Sequence, residues 1–222
     1  MKRTLLFVAS VTTAAFLLNL VLRPRYRRWG LQPVELSRTL PGDDLVPAPD
    51  YRADLAVTID AGPGDIWPWL AQMGYRRGGL YSYDWLDRVF GILDAPSADV
   101  ILPQWQDLRA GDEIPLGRGP TFPVVEAEPD HHLLLGDTTG GMWSWLLYLD
   151  PLPDGRTRLI SRNLARFPGF VGGAMLRLWL EPAAFIMTRR MLLNLKDRAE
   201  ALALERGASA NVAQPASTIP GP

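Results

Sequence analysis

The sequence predicts an α+β protein in which a curved antiparallel sheet wraps around a long C-terminal helix, with a transmembrane helix at the N-terminus. Three observations lead to this prediction. Short strand-like segments separated by turn residues follow one another from Asp112 onward. An apolar stripe at helical spacing runs from Glu181 to Arg206. An uncharged run extends from Thr4 to Leu22, which is long enough to cross a bilayer.

The composition excludes several functional classes. The 222 residues, 47% of them hydrophobic, suit one domain with a real core and appended segments, so wholesale disorder is excluded. Basic and acidic residues nearly balance, at 23 and 24, which argues against a nucleic-acid-binding body. The absence of cysteine excludes a disulfide framework, a thiolate metal site and a cysteine nucleophile.

The N-terminal apolar run predicts a membrane anchor. Its 19 residues, Thr4–Leu22, would rise about 28 Å as a helix, close to the thickness of the bilayer hydrocarbon. No small-residue cleavage site follows the run, so a retained anchor is preferred to a cleaved signal peptide. Lys2 and Arg3 precede it, and four arginines between Arg23 and Arg28 follow it. The positive-inside rule therefore favours a single-pass protein of the cell membrane with a cytoplasmic body.

The first part of the body combines one strand with two short helices. Residues 29–51 are rich in Pro, Asp and Gly and predict an ordered linker or strap. Apolar residues at every second position from Ala53 to Ile59 predict a half-buried strand. A helix is predicted to begin at Pro63, because proline suits the first helical position, and a second short helix is predicted over Ser82–Phe90.

The second part predicts a meander of strands and one long helix. The predicted strands are Glu113–Gly117, Thr121–Glu128, His132–Asp137, Met142–Asp150 and Thr157–Leu164. Pro153, Asp154 and Gly155 predict the turn of a hairpin. The stripe of the C-terminal helix consists of Ala184, Met187, Met191, Leu195, Ala199 and Leu202. Gly207 is expected to end this helix, and residues 207–222 have the composition of a disordered tail.

This order of elements, with the residues filling it, resembles the START-like superfamily, also called SRPBCC or the polyketide cyclase/dehydrase and lipid-transport group. The resemblance rests on AVTIDAGPGDIWPWLAQMG, RRGGLYSYDWLDRVFG, ILPQWQDLRAGDEIPLG and EPAAFIMTRRMLLNLKDRAE, and spans about residues 30–206. It implies the helix-grip fold, with a ligand-binding domain over 52–206. It implies little about activity, since the superfamily contains lipid carriers, hormone-binding proteins, cyclases and oxygenase domains.

Aromatic and charged side chains near the predicted sheet–helix interface are the candidate site residues. Asp84 and Tyr83 are candidates for proton transfer, although aromatic wedging and helix capping would explain the same residues structurally. The candidate ligand-binding residues are Tyr81, Tyr83, Trp85, Trp105, Trp143, Trp145, Met187, Met191 and Arg189. Arg189 and Arg190 are adjacent, so one of them is expected to face solvent.

No motif predicts a cofactor or a metal. The sequence contains no Gly-rich phosphate loop, nucleophile elbow or HExxH helix. His131 and His132 are adjacent at the start of a predicted strand, so strand alternation is expected to direct them to opposite faces. Two histidines on opposite faces would not chelate one ion.

Three functional hypotheses follow. The leading one is a membrane-anchored domain that binds a small hydrophobic or lipid-like ligand between the sheet and the C-terminal helix. The second is a cyclase- or dehydratase-type enzyme acting on a polyketide-like substrate. The third is a membrane-tethered interaction module with a filled core and no ligand. A carrier needs an open apolar cavity with few ionisable groups, an enzyme needs a titratable residue with a shifted pKa inside that cavity, and an interaction module needs neither.

Overall fold

A six-stranded antiparallel sheet forms the centre of the protein, in a computed structural model that describes residues 18, 19, 21–119, 121–137, 139–166 and 180–213, with side chains as far as Ser209. The strands are β1 (Tyr51–Ile59), β2 (Glu113–Pro115), β3 (Thr121–Glu128), β4 (His132–Gly136), β5 (Trp143–Pro151) and β6 (Thr157–Ala165). Their order across the sheet is β1-β6-β5-β4-β3-β2, so β2 to β6 form a meander and β1 pairs with the last strand. The predicted strands are confirmed to within two residues at each end.

Among the described residues, three helices accompany the sheet, apart from the helical residues 21–26 near the N-terminus. They are α1 (Pro63–Ala71), α2 (Asp84–Val89) and α3 (Glu181–Ala213), and short 3-10 turns occupy Pro33–Ser37 and Pro103–Trp105. The predicted end of α3 at Gly207 was wrong. A glycine ends a helix when it adopts the left-handed conformation, whereas Gly207 has no positive φ and lies inside the helix. Residues 214–222 of the predicted tail lie outside the described residues.

The middle of α3 packs against the inner face of the sheet. Its residues Met191, Leu195 and Ala199 are buried in one continuous cluster with Leu147 and Leu149 of β5. Burial of this stripe is the main force that holds α3 on the sheet, because apolar surface contributes about 25 cal/mol per Å² removed from water. The predicted stripe is confirmed here but not at its N-terminal end, where Ala184 is exposed.

The outer face of the sheet is buried as well. Residues 29–51 form the strap, which places Leu31, Leu40 and Leu45 against an outer cluster that includes Ala56 and Ile160. β1 is therefore largely buried on both faces, and the expectation of a half-buried strand was wrong. Alternation predicts which residues share a face, but it does not reveal what covers that face.

Ion pairs fasten the strap to the outer face. Arg158 of β6 donates from Nε and Nη2 to the two carboxylate oxygens of Glu35, at 2.7 and 2.8 Å. Arg162 lies four residues further along β6. It donates to Asp54 of β1 at 2.9 Å and to Asp43 of the strap at 2.7 Å. Buried charges require such partners, since leaving one unpaired is costly.

The segment before the strap also contacts the domain. The amides of Asp54 and Ala56 on the free edge of β1 donate to the carbonyls of Arg27 and Trp29, at 2.8 and 3.0 Å. Arg23 forms a two-point ion pair with the buried Glu181 at the start of α3. The boundary predicted after Arg28 thus falls within a segment that pairs with β1.

The predicted membrane anchor falls mostly on residues about which the structure says nothing. Residues 4–17 and 20 lie outside the described residues. Within the part of the chain that is described, no helix combines the length and the apolar character needed to span a bilayer.

Candidate functional site

A surface cleft of about 480 Å³ lies between α2 and α3. It is lined by Ser82, Tyr83, Asp84, Trp85, Arg88, Ser97, Arg190, Asn194 and Arg198. The structure thus brings together three of the predicted site residues, Tyr83, Asp84 and Trp85. The volume of the cleft lies within the range of small-molecule sites, which is about 300–1,000 Å³.

The chain entering α2 is fixed to α3 by hydrogen bonds. Asn194 of α3 donates from Nδ2 to the carbonyls of Tyr81 and Ser82, at 2.7 and 3.2 Å. Tyr81 itself has a positive φ of 57°, a conformation that is costly for a bulky residue. The contacts from Asn194 and from the surrounding core hold it there. They set the position of Tyr83 and Trp85 relative to α3.

Asp84 has a structural partner within the cleft. Its two carboxylate oxygens accept hydrogen bonds from the Ser97 amide at 3.0 Å and the Ser97 hydroxyl at 2.7 Å. This carboxylate holds the loop that contains Ser97 against the start of α2. Proton transfer by Asp84 would have to compete with both bonds.

Asp87 is a carboxylate that the sequence analysis missed. Its side chain is fully buried, and the Ser82 hydroxyl donates to its Oδ2 at 2.6 Å. Burial raises the pKa of Asp87, the Ser82 hydrogen bond opposes this, and the charge of Asp84 adds to the increase. Asp87 lies in the first turn of α2, between Leu86 and Arg88, and nothing in the sequence marks it as buried.

Positive charge dominates the lining of the cleft. The Arg190 guanidinium lies 5.7 Å from the Tyr83 ring centroid. Arg198 donates to the carbonyl of Ala98 at 2.9 Å and lies 5.1 Å from the Tyr81 ring. Within the described residues, Arg88, Arg190 and Arg198 make no ion pair with a carboxylate. The single carboxylate in the lining, Asp84, is engaged by Ser97.

The apolar part of the lining is aromatic and accessible. Trp85 is 65% exposed, and Tyr83 is half-buried beneath the Arg190 side chain. Because most of this indole is exposed, its ring face is available for stacking against a ligand.

Tyr81 lies in the core, not at an opening. Its side chain is fully buried, and its hydroxyl accepts a hydrogen bond from Gln72 Nε2 at 2.9 Å. Burial raises the pKa of Tyr81 to about 12, despite the opposing effects of the Gln72 bond and of Arg198 and Arg77. The expectation that Tyr81 borders a pocket mouth is therefore not met.

The predicted residues of β5 lie in a separate aromatic group. Trp143 and Trp145 are half-buried and contact Phe122 of β3, with ring centroids 4.9 and 5.8 Å apart. Trp145 Nε1 donates to Ser161 Oγ at 2.9 Å. Met191 is buried in the inner cluster and Met187 is half-buried, so at the level of Met191 packed side chains occupy the sheet–helix interface.

The remaining candidates contact other partners. The Trp105 ring lies 4.5 Å from the Arg77 guanidinium, in the 3-10 turn Pro103–Trp105. Arg189 lies 4.9 Å from the Trp29 ring, whereas its neighbour Arg190 borders the cleft. Both arginines are exposed, so the expectation that only one of them faces solvent is not met, and the residue beside the cleft is Arg190, not the predicted Arg189.

A second basic cleft, of about 400 Å³, lies beside the strap and is lined in part by Arg23, Arg27 and Arg52. Three of its four arginines have partners within the protein. Arg23 pairs with Glu181 and Arg52 with Asp54, and the Arg27 Nε donates to the Arg52 carbonyl at 2.6 Å. These guanidinium groups hold the N-terminal segment in place, which makes the α2–α3 cleft the better ligand site.

The two histidines do not point to opposite faces. Their Nδ1 atoms lie 2.8 Å apart, because only His132 belongs to β4 while His131 lies in the preceding turn, where the two-residue period does not apply. That turn contains Asp130 with φ 62°. The expectation that strand alternation separates the two histidines was therefore wrong, and it does not argue against a shared metal ion.

Several solved structures are similar to this chain at low identity. The KanY protein is 16% identical over 68% of this chain and 97% of that chain, with a TM-score of 0.41. DynU16, from the dynemicin biosynthetic locus, is 18% identical over 66% of this chain and 48% of that chain, with a TM-score of 0.40. A Rhodobacter sphaeroides protein is 20% identical over 70% and 96% of the two chains, with a TM-score of 0.41.

No protein-family model matches the sequence, and no curated protein is similar to it. The structural similarities are too low to place the chain in a family or to transfer a function to it. The α+β architecture agrees with the START-like resemblance, and membership of that superfamily stays a prediction.

Proposed function

We propose that this protein binds a small amphipathic anion in the cleft between α2 and α3. The observation that carries the proposal is the set of three guanidinium groups, Arg88, Arg190 and Arg198, which have no carboxylate partner among the described residues. Guanidinium groups bind carboxylates through charge-assisted hydrogen bonds, which are stronger than neutral ones. A carboxylate, sulfonate or phosphate on the ligand would supply the missing negative charge.

The ligand is expected to have an apolar, preferably flat, body. Trp85 and Tyr83 offer aromatic faces beside the arginines, and burial of apolar ligand surface against them is favourable. The ligand is hydrophobic in part, as in the sequence-based hypothesis. Its proposed position differs, because the cleft lies outside the packed interface of α3 with the sheet. The proposal describes binding without turnover, since Asp84 is held by Ser97 and Asp87 does not line the cleft.

The test compares two probes that share a ring system and differ in charge. The full-length chain is titrated by calorimetry with 2-naphthoate and with neutral 2-naphthalenemethanol. We expect the naphthoate to bind at least about tenfold more tightly, since one charge-assisted hydrogen bond is worth about 1.5–3 kcal/mol. Arg190→Gln should abolish that preference, while Trp85→Ala should weaken the binding of both probes.

Arg156→Gln is the matched control, because Arg156 is an exposed arginine of the β5–β6 turn, paired with Asp154 and absent from the lining of the cleft. Its affinity for either probe should equal that of the parent. The proposal fails if the two probes bind the parent equally, if neither binds, or if Arg190→Gln leaves the naphthoate affinity unchanged.

A further inference from the structure

The turn between β3 and β4 brings together both histidines of the chain and a glutamate. The His131 amide donates to the Glu128 carbonyl at 3.0 Å, which closes the turn. Glu128 also lies opposite His132 in the β3–β4 register. As a result, one side-chain oxygen and two ring nitrogens from these three residues lie within 4.8 Å of one another.

The distances between these three atoms match one face of a metal-centred tetrahedron. The His131 and His132 Nδ1 atoms lie 2.8 Å apart, and Glu128 Oε2 lies 3.3 Å from the first and 3.6 Å from the second. Zinc binds nitrogen and carboxylate oxygen at about 2.0–2.2 Å, so neighbouring ligand atoms in a tetrahedral zinc site lie about 3.4 Å apart. The two Nδ1 atoms must move apart to reach that geometry, and the His131 and Glu128 side chains that would adjust are exposed.

A fourth residue orients the buried histidine. The His132 side chain is 3% exposed, and its Nε2 lies 2.8 Å from Glu126 Oε2. A carboxylate accepts hydrogen bonds, so Nε2 is the donor, and in the neutral imidazole that binds a metal Nδ1 then keeps its lone pair. That lone pair points toward His131 and Glu128. Metal-binding histidines are characteristically held by a carboxylate on their other nitrogen in this way.

We infer that Glu128, His131 and His132 form a binding site for a single Zn²⁺ ion, with Glu126 as the positioning residue of His132. His131 and Glu128 are 49% and 61% exposed on their side chains, so an ion can enter from solvent and a water molecule would take the fourth position. The site lies on the outer face of the sheet, because His132 shares a strand face with Leu134 of the outer cluster.

The electrostatic surroundings favour a cation. Glu126 and Glu128 contribute two carboxylates. Arg38 contacts the same Tyr148 ring as His131, but it is paired with Asp150 at 2.5 Å, which balances its charge locally. The site is independent of the proposed ligand cleft, which α2 and α3 form on the other side of the sheet.

The test uses the untagged full-length chain after treatment with a chelator. Titration with Co²⁺ should give the visible absorption of a four-coordinate ion, saturating at one ion per chain, and added Zn²⁺ should displace it. His131→Asn and Glu128→Gln alter exposed side chains and should abolish the signal. Glu126→Gln should weaken Zn²⁺ binding by about 10–100-fold while the Co²⁺ spectrum keeps its form.

Glu113→Gln is the control, because Glu113 is an exposed glutamate on β2 at the sheet edge. It should bind both ions as the parent does, and Zn²⁺ should raise the melting temperature of the parent and of this control but not of His131→Asn. The inference is overturned if the parent shows no saturable binding, or if His131→Asn binds Zn²⁺ as tightly as the parent.

Discussion

The pairing of Glu35 with Arg158 is the most deeply buried two-point ion pair between the strap and the sheet among the described residues. Both side chains are 8% exposed. Glu35→Gln keeps the shape of the side chain but leaves the Arg158 charge uncompensated. We expect it to lower the free energy of unfolding by about 3 kcal/mol, measured by urea denaturation. Asp154→Asn breaks an exposed pair and should cost less than about 1 kcal/mol, so an equal loss in both variants would contradict this view.

The same pair predicts how stability depends on pH. Burial alone would raise the pKa of Glu35, but the hydrogen bonds from Arg158 and the Gln32 amide, with the nearby positive charges, outweigh it and lower the pKa. A carboxylate with a lowered folded-state pKa stabilises the protein above its unfolded value, about 4.3, and loses this contribution as the pH falls through the folded value. Between about pH 5 and pH 3 the parent should therefore lose more stability than Glu35→Gln.

The site residues show how far single positions can be interpreted from sequence. The cluster Tyr83–Asp84–Trp85 was identified because aromatic and acidic residues are adjacent in it. Asp87 was missed, since a helical aspartate is usually solvated and only the fold buries it. The misjudged direction of His131 has another cause. The strand was predicted to begin at His132, as it does, but the two-residue period was applied to His131, which lies in the preceding turn.

Helix α3 provides a test of where a regular element ends. Gly207 lies in its exposed final turns, and a Cβ added there would meet no atom within 4 Å. Gly207→Ala should therefore raise stability or helix content by up to about 1 kcal/mol, as read from thermal melts followed by circular dichroism. Gly155→Ala is the matched comparison, because Gly155 has φ 84° in the β5–β6 turn and alanine there is strained. Destabilisation by Gly207→Ala would instead indicate that the helix ends at Gly207.

Elements with a strong period were predicted well, and the contacts of the strap were not. The strands β3 to β6 and the middle of α3 follow from alternation and from the apolar stripe. The strap has no period, because its contacts are spaced irregularly along the chain and combine leucines with charged residues such as Glu35 and Asp43. Alternation in β6 likewise places Arg158 and Arg162 on one face, but it does not identify the partners that bury them.

The structure determines where a chain without the predicted anchor should begin. We propose that residues 4–22 anchor the chain, so the full-length protein should sediment with membranes and a chain beginning at Leu18 should not. The shorter chain should keep its melting temperature. A chain beginning at Trp29 should melt about 6–12 °C lower, because Glu181 loses Arg23 and is left buried without its partner. Full-length protein in the soluble fraction of its host would refute the anchor.

The position of β1 at the edge next to β6 has a consequence for synthesis on the ribosome. Tyr51 pairs with Ala165, so β1 emerges more than one hundred residues before the strand that completes it. The hairpins among β3 to β6 are local and should form first, with β1 and the strap docking late, since long-range pairing is slow. Until then Ile160 stays uncovered between Arg158 and Arg162 on the outer face. Two charges flanking one apolar residue would hinder premature self-association, so the arginines that later lock the strap also protect the nascent sheet.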